Sequence, residues 1–365
     1  AHLFEHLMFG GSVNIPSSDE PLQRVGGENN AFTSNDITNY YVTLPAVNLE
    51  TAFWLESDRM LSLAFSQKSL EVQKNVVCEE FKQRYLNQPY GDVWLKLRPM
   101  VYKQHPYRWP TIGKELSHIE NAQIDDVKAF FKKYYHPSNA IMVVGGAVKT
   151  DEVKQLAEKW FGSIPAGSTP VRNLPVEPEQ TEERRAVIKA DVPLDSLYIV
   201  FHCPARKEQG YYSADLMSDI LSRGNASRLY TSLVKNKKLF SEIHAHLTGS
   251  LDPGLFIIEG KPVKGVSMED AEAAIWEEIE GMKHELVSAD ELTKVKNKIE
   301  STMVFSEMSL LDKAMNLAMF ELLGNASDMN HETEKYMAVS AENIKTTAGT
   351  IFRKENSTTL YYLAN

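Results

Sequence analysis

Residues 1–11 read AHLFEHLMFGG and contain two histidines and a glutamate in the pattern His-x-x-Glu-His. The stretch is apolar enough to form a short helix. On a helix, positions i and i+4 share one face, so His2 and His6 can both reach a single ion. A catalytic zinc site has three protein ligands, often neutral imidazoles, and an exchangeable water. Glu5 lies beside the two histidines, where it can take a proton from that water.

The alternative to a metal site is a chance cluster of polar side chains at one end of the chain. The order H-x-x-E-H is the inverzincin signature, the reverse of H-E-x-x-H. A chance match of this kind is rare in one chain, although a motif alone remains a hypothesis. The pattern therefore favours a metal site, and a third ligand has to lie elsewhere in the sequence.

The best candidate for the third ligand lies on a helix predicted from about Ser69 to Leu86. Glu79 and Glu80 are adjacent there and point about 100° apart, so only one of them can face the metal. Glu79 belongs with Gln83 on a more polar face. The other face carries Val76, Val77, Glu80, Phe81 and Arg84. This pattern favours Glu80, although a carboxylate on a helix is more often simply solvated.

Composition bounds the function class. The chain has 365 residues, 43% of them hydrophobic and 24% charged, as in soluble globular proteins. No apolar run approaches the roughly 18 residues that a membrane span needs. The net charge of −10 argues against nucleic acid as a partner. Cys78 and Cys203 are the only cysteines, so a disulfide framework is not expected. The cysteine content therefore does not indicate the cellular compartment.

The sequence indicates two domains of one type. Residues 162–184 are rich in Pro, Gly, Ser and charge, and they divide the chain near its middle. NAQIDDVKAFFKKYYHPSNAIMVVGG and SAENIKTTAGTIFRKENSTTLYYLAN share a pattern of helix, polar turn and apolar strand. We predict an α+β fold with a metal-binding domain at 1–165, a linker at 166–184 and a homologous domain without the metal motif at 185–365.

The chain starts on Ala, and its candidate site starts at residue 2. We therefore expect that a segment preceding residue 1, including the first strand or strands of the sheet, has been removed or is not represented. A targeting segment would lie there and is not visible. We expect a bacterial periplasmic or cytoplasmic location.

The motifs together resemble the pitrilysin/insulinase family of zinc metallopeptidases. The resemblance rests on HLFEH, GGENNAFTSNDITNYY, KNVVCEEFKQR, HPYRWPTIG and YYHPSNAIMVVGG. It is strongest for the branch of short two-domain subunits, which includes mitochondrial processing peptidases and small bacterial peptidases. It implies two homologous domains, each a mainly antiparallel sheet packed with helices, that form half of a clamshell. It also implies one zinc ion bound by His2, His6 and Glu80, with Glu5 as general base.

The resemblance also implies how a substrate binds. NAFTS, residues 30–34, is similar to the family's edge strand beside the metal, where an extended peptide pairs by β-augmentation. We expect Asn30, Ala31 and Phe32 to contact the substrate, which would be a peptide or an unfolded segment. Taken alone, NAFTS is also consistent with a plain strand.

Two positions depart from the family pattern. The family often has a carboxylate seven residues before the glutamate ligand, and here that position is Gln73, so we expect weaker orientation of the ligands rather than loss of zinc. Active members also carry an Arg and, seven residues later, a Tyr in the second domain. Here Val234 and Ser241 stand at those positions, and Arg228 and Tyr230 lie nearby but out of register.

These departures predict a homologous partner subunit that supplies the Arg and the Tyr, in a heterodimer or a homodimer. The alternative is a non-catalytic scaffold subunit of the same fold in a larger assembly. The presence of all four motif residues favours the enzyme. A second histidine pair, His244 and His246, has no third ligand in view and is more consistent with exposed strand residues.

Overall fold

The computed structural model describes residues 1–365 and contains helices and strands on both sides of residues 162–183, which form neither. The α-helices are α1 His2–Leu7, α2 Asp19–Arg24, α3 Leu49–Ser62, α4 Gln67–Phe81, α5 Val93–Val101, α6 Leu116–Glu120, α7 Ile124–Tyr134, α8 Thr150–Phe161, α9 Tyr211–Ser222, α10 Met268–His284, α11 Ala289–Ser306, α12 Leu310–Leu323, α13 Glu332–Met337 and α14 Ala341–Ile351. The strands are β1 Glu28–Thr33, β2 Thr38–Thr43, β3 Arg184–Ala190, β4 Ser196–Cys203, β5 Phe240–Leu247, β6 Gly254–Pro262 and β7 Ser357–Ala364. None of the helices combines the length and the apolar composition that a membrane-spanning segment needs.

The chain forms two compact units, each assembled from separate stretches of sequence. Unit 1 contains Ala1–Gln88, Trp109–Leu174 and Glu307–Ala326. Unit 2 contains Pro89–Arg108, Pro175–Ser306 and Ser327–Asn365. Helix α5 therefore belongs to unit 2 although it precedes the central segment, and α12 belongs to unit 1 although it follows it. The division into homologous domains at 1–165 and 185–365 stays a prediction.

Unit 1 contains the motif helix α1 and one antiparallel hairpin, in which β1 pairs with β2. Two glycines follow α1 and let the chain turn tightly against α4. A Cβ on Gly10 would lie 2.7 Å from the Ser69 hydroxyl oxygen, and Gly11 has a φ of +85°. Only glycine tolerates both the close contact at position 10 and the positive φ at position 11 without strain. The sequence Gly-Gly after the motif therefore permits close packing of α1 against α4.

Unit 2 is built around a five-stranded sheet in the order β3-β7-β4-β6-β5. All neighbours are antiparallel except β3 and β7, which are parallel. Central strand β4 is covered on both faces, which explains its nearly continuous apolar sequence SLYIVFHC. Leu197, Ile199 and Phe201 lie in the cluster that includes residues of α9, α10 and α14. Tyr198 and Val200 lie in a second cluster with residues of α5.

The structure confirms the mixed helix and sheet content and the mainly antiparallel pairing predicted from the sequence. The apolar stretch NAIMVVGGAV, which reads as a buried strand, is an exception. Residues 140–145 form no strand pairs, and Ile141 and Met142 are 43% and 52% exposed. The prediction of a buried strand is wrong here because an apolar run becomes a strand only where a neighbouring strand accepts its backbone hydrogen bonds.

Candidate metal centre

Helix α1 is anchored by its apolar side. Phe4, Leu7 and Met8 are buried in a cluster that includes Leu70 of α4. The Phe4 ring also contacts the Tyr135 ring, with centroids 4.4 Å apart. This packing fixes the rotation of a helix of only six residues, which has little stability of its own.

The two histidines of α1 meet Glu80 of α4. The Glu80 Oε2 atom lies 3.2 Å from His6 Nε2 and 3.6 Å from His2 Nε2. One ligand atom from each of the three residues lies within 4.8 Å of the others. The neighbouring Glu79 points away, is 60% exposed and pairs with Lys82 at 2.7 Å. Glu80 is thus the carboxylate that joins the histidines, as the helical period indicates.

The chemistry of these three side chains fits a divalent cation such as zinc. The Glu80 Oε2 atom is buried and accepts no hydrogen bond, while Arg84 contacts the other oxygen at 2.9 Å. A buried carboxylate oxygen is normally paired, so an orphan aimed at two imidazole nitrogens is unusual. Burial lowers the pKa of His2, although the charge of Glu80 opposes that effect. Lowering this pKa favours the neutral imidazole that zinc requires.

Glu5 does not belong to the group of converging ligand atoms. Its carboxylate is buried, and its Oε2 atom accepts a hydrogen bond from the Thr33 hydroxyl at the end of β1. The other oxygen, Oε1, accepts no hydrogen bond from the protein. Glu5 therefore has one oxygen held in place and one available for proton transfer. The sequence did not indicate Thr33 as a partner of Glu5. The only hint in the sequence is that Thr33 lies within NAFTS, residues 30–34.

The expected support for the ligands is incomplete. A histidine that binds a metal usually donates its second ring N–H to an acceptor. The His2 Nδ1 atom is buried and has no such partner. Gln73 lies on α4 two helical turns before Glu80 and is half-buried, and its side chain makes no hydrogen bond to either histidine or to Glu80.

Strand β1 offers a free edge beside this centre. It pairs only with β2, so its second edge has no strand neighbour. The predicted substrate residues Asn30, Ala31 and Phe32 lie on β1, and Phe32 is 41% exposed. The Ala31 N–H donates to its neighbour's side-chain oxygen, Asn30 Oδ1, at 2.8 Å. An edge strand of this kind can accept an extended peptide.

Comparison with known proteins identifies the family. The sequence model of the insulinase family, peptidase family M16, matches residues 1–113, and the model of the peptidase M16 inactive domain matches residues 121–299. The zinc protease PqqE of Helicobacter pylori is 30% identical over 372 residues, which cover 99% of this chain and 82% of the relative. The chain belongs to the insulinase family, M16.

Two further comparisons, one of structure and one of sequence, agree with this family. The crystal structure of a protease from Helicobacter pylori has a TM-score of 0.92 and 28% identity, and the match covers 99% of this chain and 89% of that one. The mitochondrial-processing peptidase subunit beta of Caenorhabditis elegans is 24% identical over 202 residues, which cover 54% of this chain and 42% of that protein. The chain is thus similar to zinc proteases, and one relative is named as a subunit.

Other site residues that the sequence singled out lie in unit 2 of this M16 chain. Val234 packs against the core of that unit, and Ser241 is exposed on β5. Arg228 is held by Glu291 through contacts of 2.7 and 3.0 Å. His244 and His246 are exposed on edge strand β5 and join no group of potential metal ligands.

Proposed function

We propose that this chain is a zinc-dependent metalloendopeptidase subunit that hydrolyses peptides or unfolded segments. The observation that carries the proposal is the buried Glu80 Oε2 atom, which faces the Nε2 atoms of His2 and His6 and has no hydrogen bond. His2, His6 and Glu80 would hold one zinc ion. When bound there, zinc supplies Lewis acidity, which polarises a scissile carbonyl and makes water easier to deprotonate.

Glu5 acts as the general base and acid in this proposal. Its carboxylate takes the proton of the attacking water and later delivers it to the leaving amine. The free Oε1 atom is the oxygen that moves the proton, because Oε2 is already bonded to Thr33. The carbonyl is attacked by water, the C–N bond breaks, and the amine leaves with the transferred proton, so no other reactant is needed.

Strand β1 holds the substrate in this proposal. Asn30, Ala31 and Phe32 lie on a strand whose second edge has no neighbour. A peptide added there has to be extended, because only an extended backbone matches the ladder of N–H and C=O groups. Substrates are therefore peptides or unfolded segments rather than folded domains.

The test combines zinc content with hydrolysis of a quenched fluorescent peptide. We expect about one zinc per chain in both the wild type and Glu5→Gln, and a loss of turnover in Glu5→Gln of about 10³-fold, the range of a lost general base. Glu20→Gln, an exposed glutamate of unit 1, is the matched control and should leave turnover unchanged. Zinc binding without Glu5-dependent turnover would instead favour the scaffold role.

We further propose that a homologous subunit completes the site. Support comes from Val234 and Ser241, which stand where the resemblance places an Arg and a Tyr. Mixing this chain with an M16 subunit that lacks H-x-x-E-H but carries that Arg and Tyr should raise peptidase activity at least tenfold. Full activity of the chain alone, with no gain on mixing, would contradict the partner proposal and leave the zinc proposal intact.

A further inference from the structure

Glu5 is tied to the β1–β2 hairpin by a bond that spans 28 positions in sequence. The Thr33 hydroxyl donates to Glu5 Oε2, and a carboxylate that is ionised has no proton to give back. The direction of this bond is therefore fixed. It fixes the position of one carboxylate oxygen and leaves the other unbonded.

The Thr33 hydroxyl has one further hydroxyl partner. Its oxygen lies 3.3 Å from the Thr38 hydroxyl oxygen on β2. The two residues are directly opposite each other in the register of β1 and β2. We call Thr33 and Thr38 the hydroxyl pair.

The chemistry of hydroxyls gives the pair one direction. Each hydroxyl has a single proton, so Thr33, which donates to Glu5, can only accept from Thr38. Both donors therefore point toward Glu5.

Hydrogen bonds arranged head to tail polarise one another, so each donor strengthens the next. The donor that reaches Glu5 is thus stronger than an isolated threonine hydroxyl.

We propose that Thr33 is a positioning residue for Glu5, kept in its donor orientation by the Thr38 hydroxyl. This inference rests on the proposed function, because it assigns Thr33 the task of presenting the Glu5 oxygen that moves the proton. Thr33 itself does not contact the reacting atoms in this proposal. Its removal should lower the rate of the chemical step without weakening substrate or zinc binding.

The first experiment compares Thr33→Val with Thr33→Ser in the full chain. Thr33→Val keeps the side-chain shape but removes the donor, and we expect kcat to fall about tenfold, the value of one hydrogen bond to a charged group. KM and zinc content should stay within twofold. Thr33→Ser should restore most of kcat. Thr43→Val, on β2 of the same hairpin, is the matched control and should change nothing.

The second experiment changes the other member of the hydroxyl pair. Thr38→Val removes a hydroxyl that is two hydrogen bonds away from Glu5 and should lower kcat about threefold, because only the polarisation of Thr33 is lost. Thr43→Val, on the same strand, is again the control. Combining Thr33→Val with Thr38→Val should cost no more than Thr33→Val alone, whereas independent structural effects would multiply.

A structural measurement that does not require peptidase activity separates this inference from the proposed function. Crystal structures of the wild type and Thr33→Val should show one Glu5 carboxylate orientation in the former and a rotated or multiple orientation in the latter. If neither protein hydrolyses peptides, the proposed function fails while this comparison still decides the role of Thr33. An unchanged carboxylate in Thr33→Val, or a kcat within twofold of the wild type in an active enzyme, would overturn the inference.

Discussion

Two glutamates, one in each unit, have opposite surroundings. In unit 2, the Glu272 carboxylate accepts hydrogen bonds from Arg185, Tyr361, Lys354 and Trp276. In unit 1, Glu80 Oε2 accepts none, although it lies close to two histidine nitrogens. Their side chains are similarly buried, with 8% and 17% exposure. Burial therefore does not distinguish the two carboxylates, but their partners do.

The pKa of Glu272 reflects its partners. Burial alone would raise it, but the hydrogen bonds from Arg185, Tyr361 and Lys354 outweigh burial and lower the pKa to about 2. A carboxylate satisfied in this way stabilises the fold and has no free oxygen for chemistry. Glu80 leaves one oxygen unsatisfied, which lowers stability unless a cation binds. The contrast separates a structural carboxylate from a candidate ligand.

The largest expected effect comes from removing the candidate ligand. Glu80→Gln should raise the Kd for zinc by more than about 100-fold, because even changes to residues that only support the ligands cost 10- to 100-fold. Peptide hydrolysis should fall with the zinc content. Zinc titration by calorimetry measures the change, and Glu79→Gln on the same helix is the control. Equal zinc affinities in the two variants would remove Glu80 from the ligand set.

A stability effect is expected in unit 2. Glu272→Gln should lower the free energy of unfolding by about 2 kcal/mol, less than the loss of a fully buried ion pair, because Arg185 and Lys354 are partly exposed. Urea denaturation measures this loss. The zinc affinity of Glu272→Gln should equal that of the wild type; a matching loss of zinc would contradict the division between structural and ligand carboxylates.

Lowering the pH should remove the stabilisation that the Glu272 carboxylate provides. The folded-state pKa of Glu272 is below its ordinary value of 4.5, so its stabilisation is complete above pH 4.5 and is lost as the pH falls toward 2. Between pH 6 and pH 3, the wild type should lose roughly 1–2 kcal/mol more unfolding free energy than Glu272→Gln. Urea titrations at both pH values test this. Parallel losses in the two proteins would contradict the low pKa.

The smallest expected effect comes from changing Gln73, a residue that could orient the metal ligands. Gln73→Glu adds a carboxylate seven residues before Glu80, and we expect it to lower the Kd for zinc by up to about tenfold, the lower limit for residues that orient ligands. Gln67→Glu at the start of the same helix adds the same charge farther away. Equal effects of the two changes would assign the gain to charge alone.

Much of the candidate site was predictable because helices are periodic. The i and i+4 spacing places His2 and His6 on one face, and the 100° step separates Glu80 from Glu79. The predicted face was less accurate at Val76, which is 46% exposed. The hydrogen bond between Thr33 and Glu5 was not predictable, because no local rule joins a strand hydroxyl to a helix 28 positions away.

The sequence by itself determined the motif helix, strand β1 and the residue types of the centre. His-x-x-Glu-His is a local pattern on one helical turn, and the alternating burial of β1 follows from the two-residue period of a strand. Only the tertiary structure decided which groups meet. The packing of α1 on α4 brings Glu80 within 3.2 Å of His6 and leaves its Oε2 atom without a hydrogen bond. Contacts between distant segments depend on how whole elements pack, and the period of one element carries no information about its neighbour.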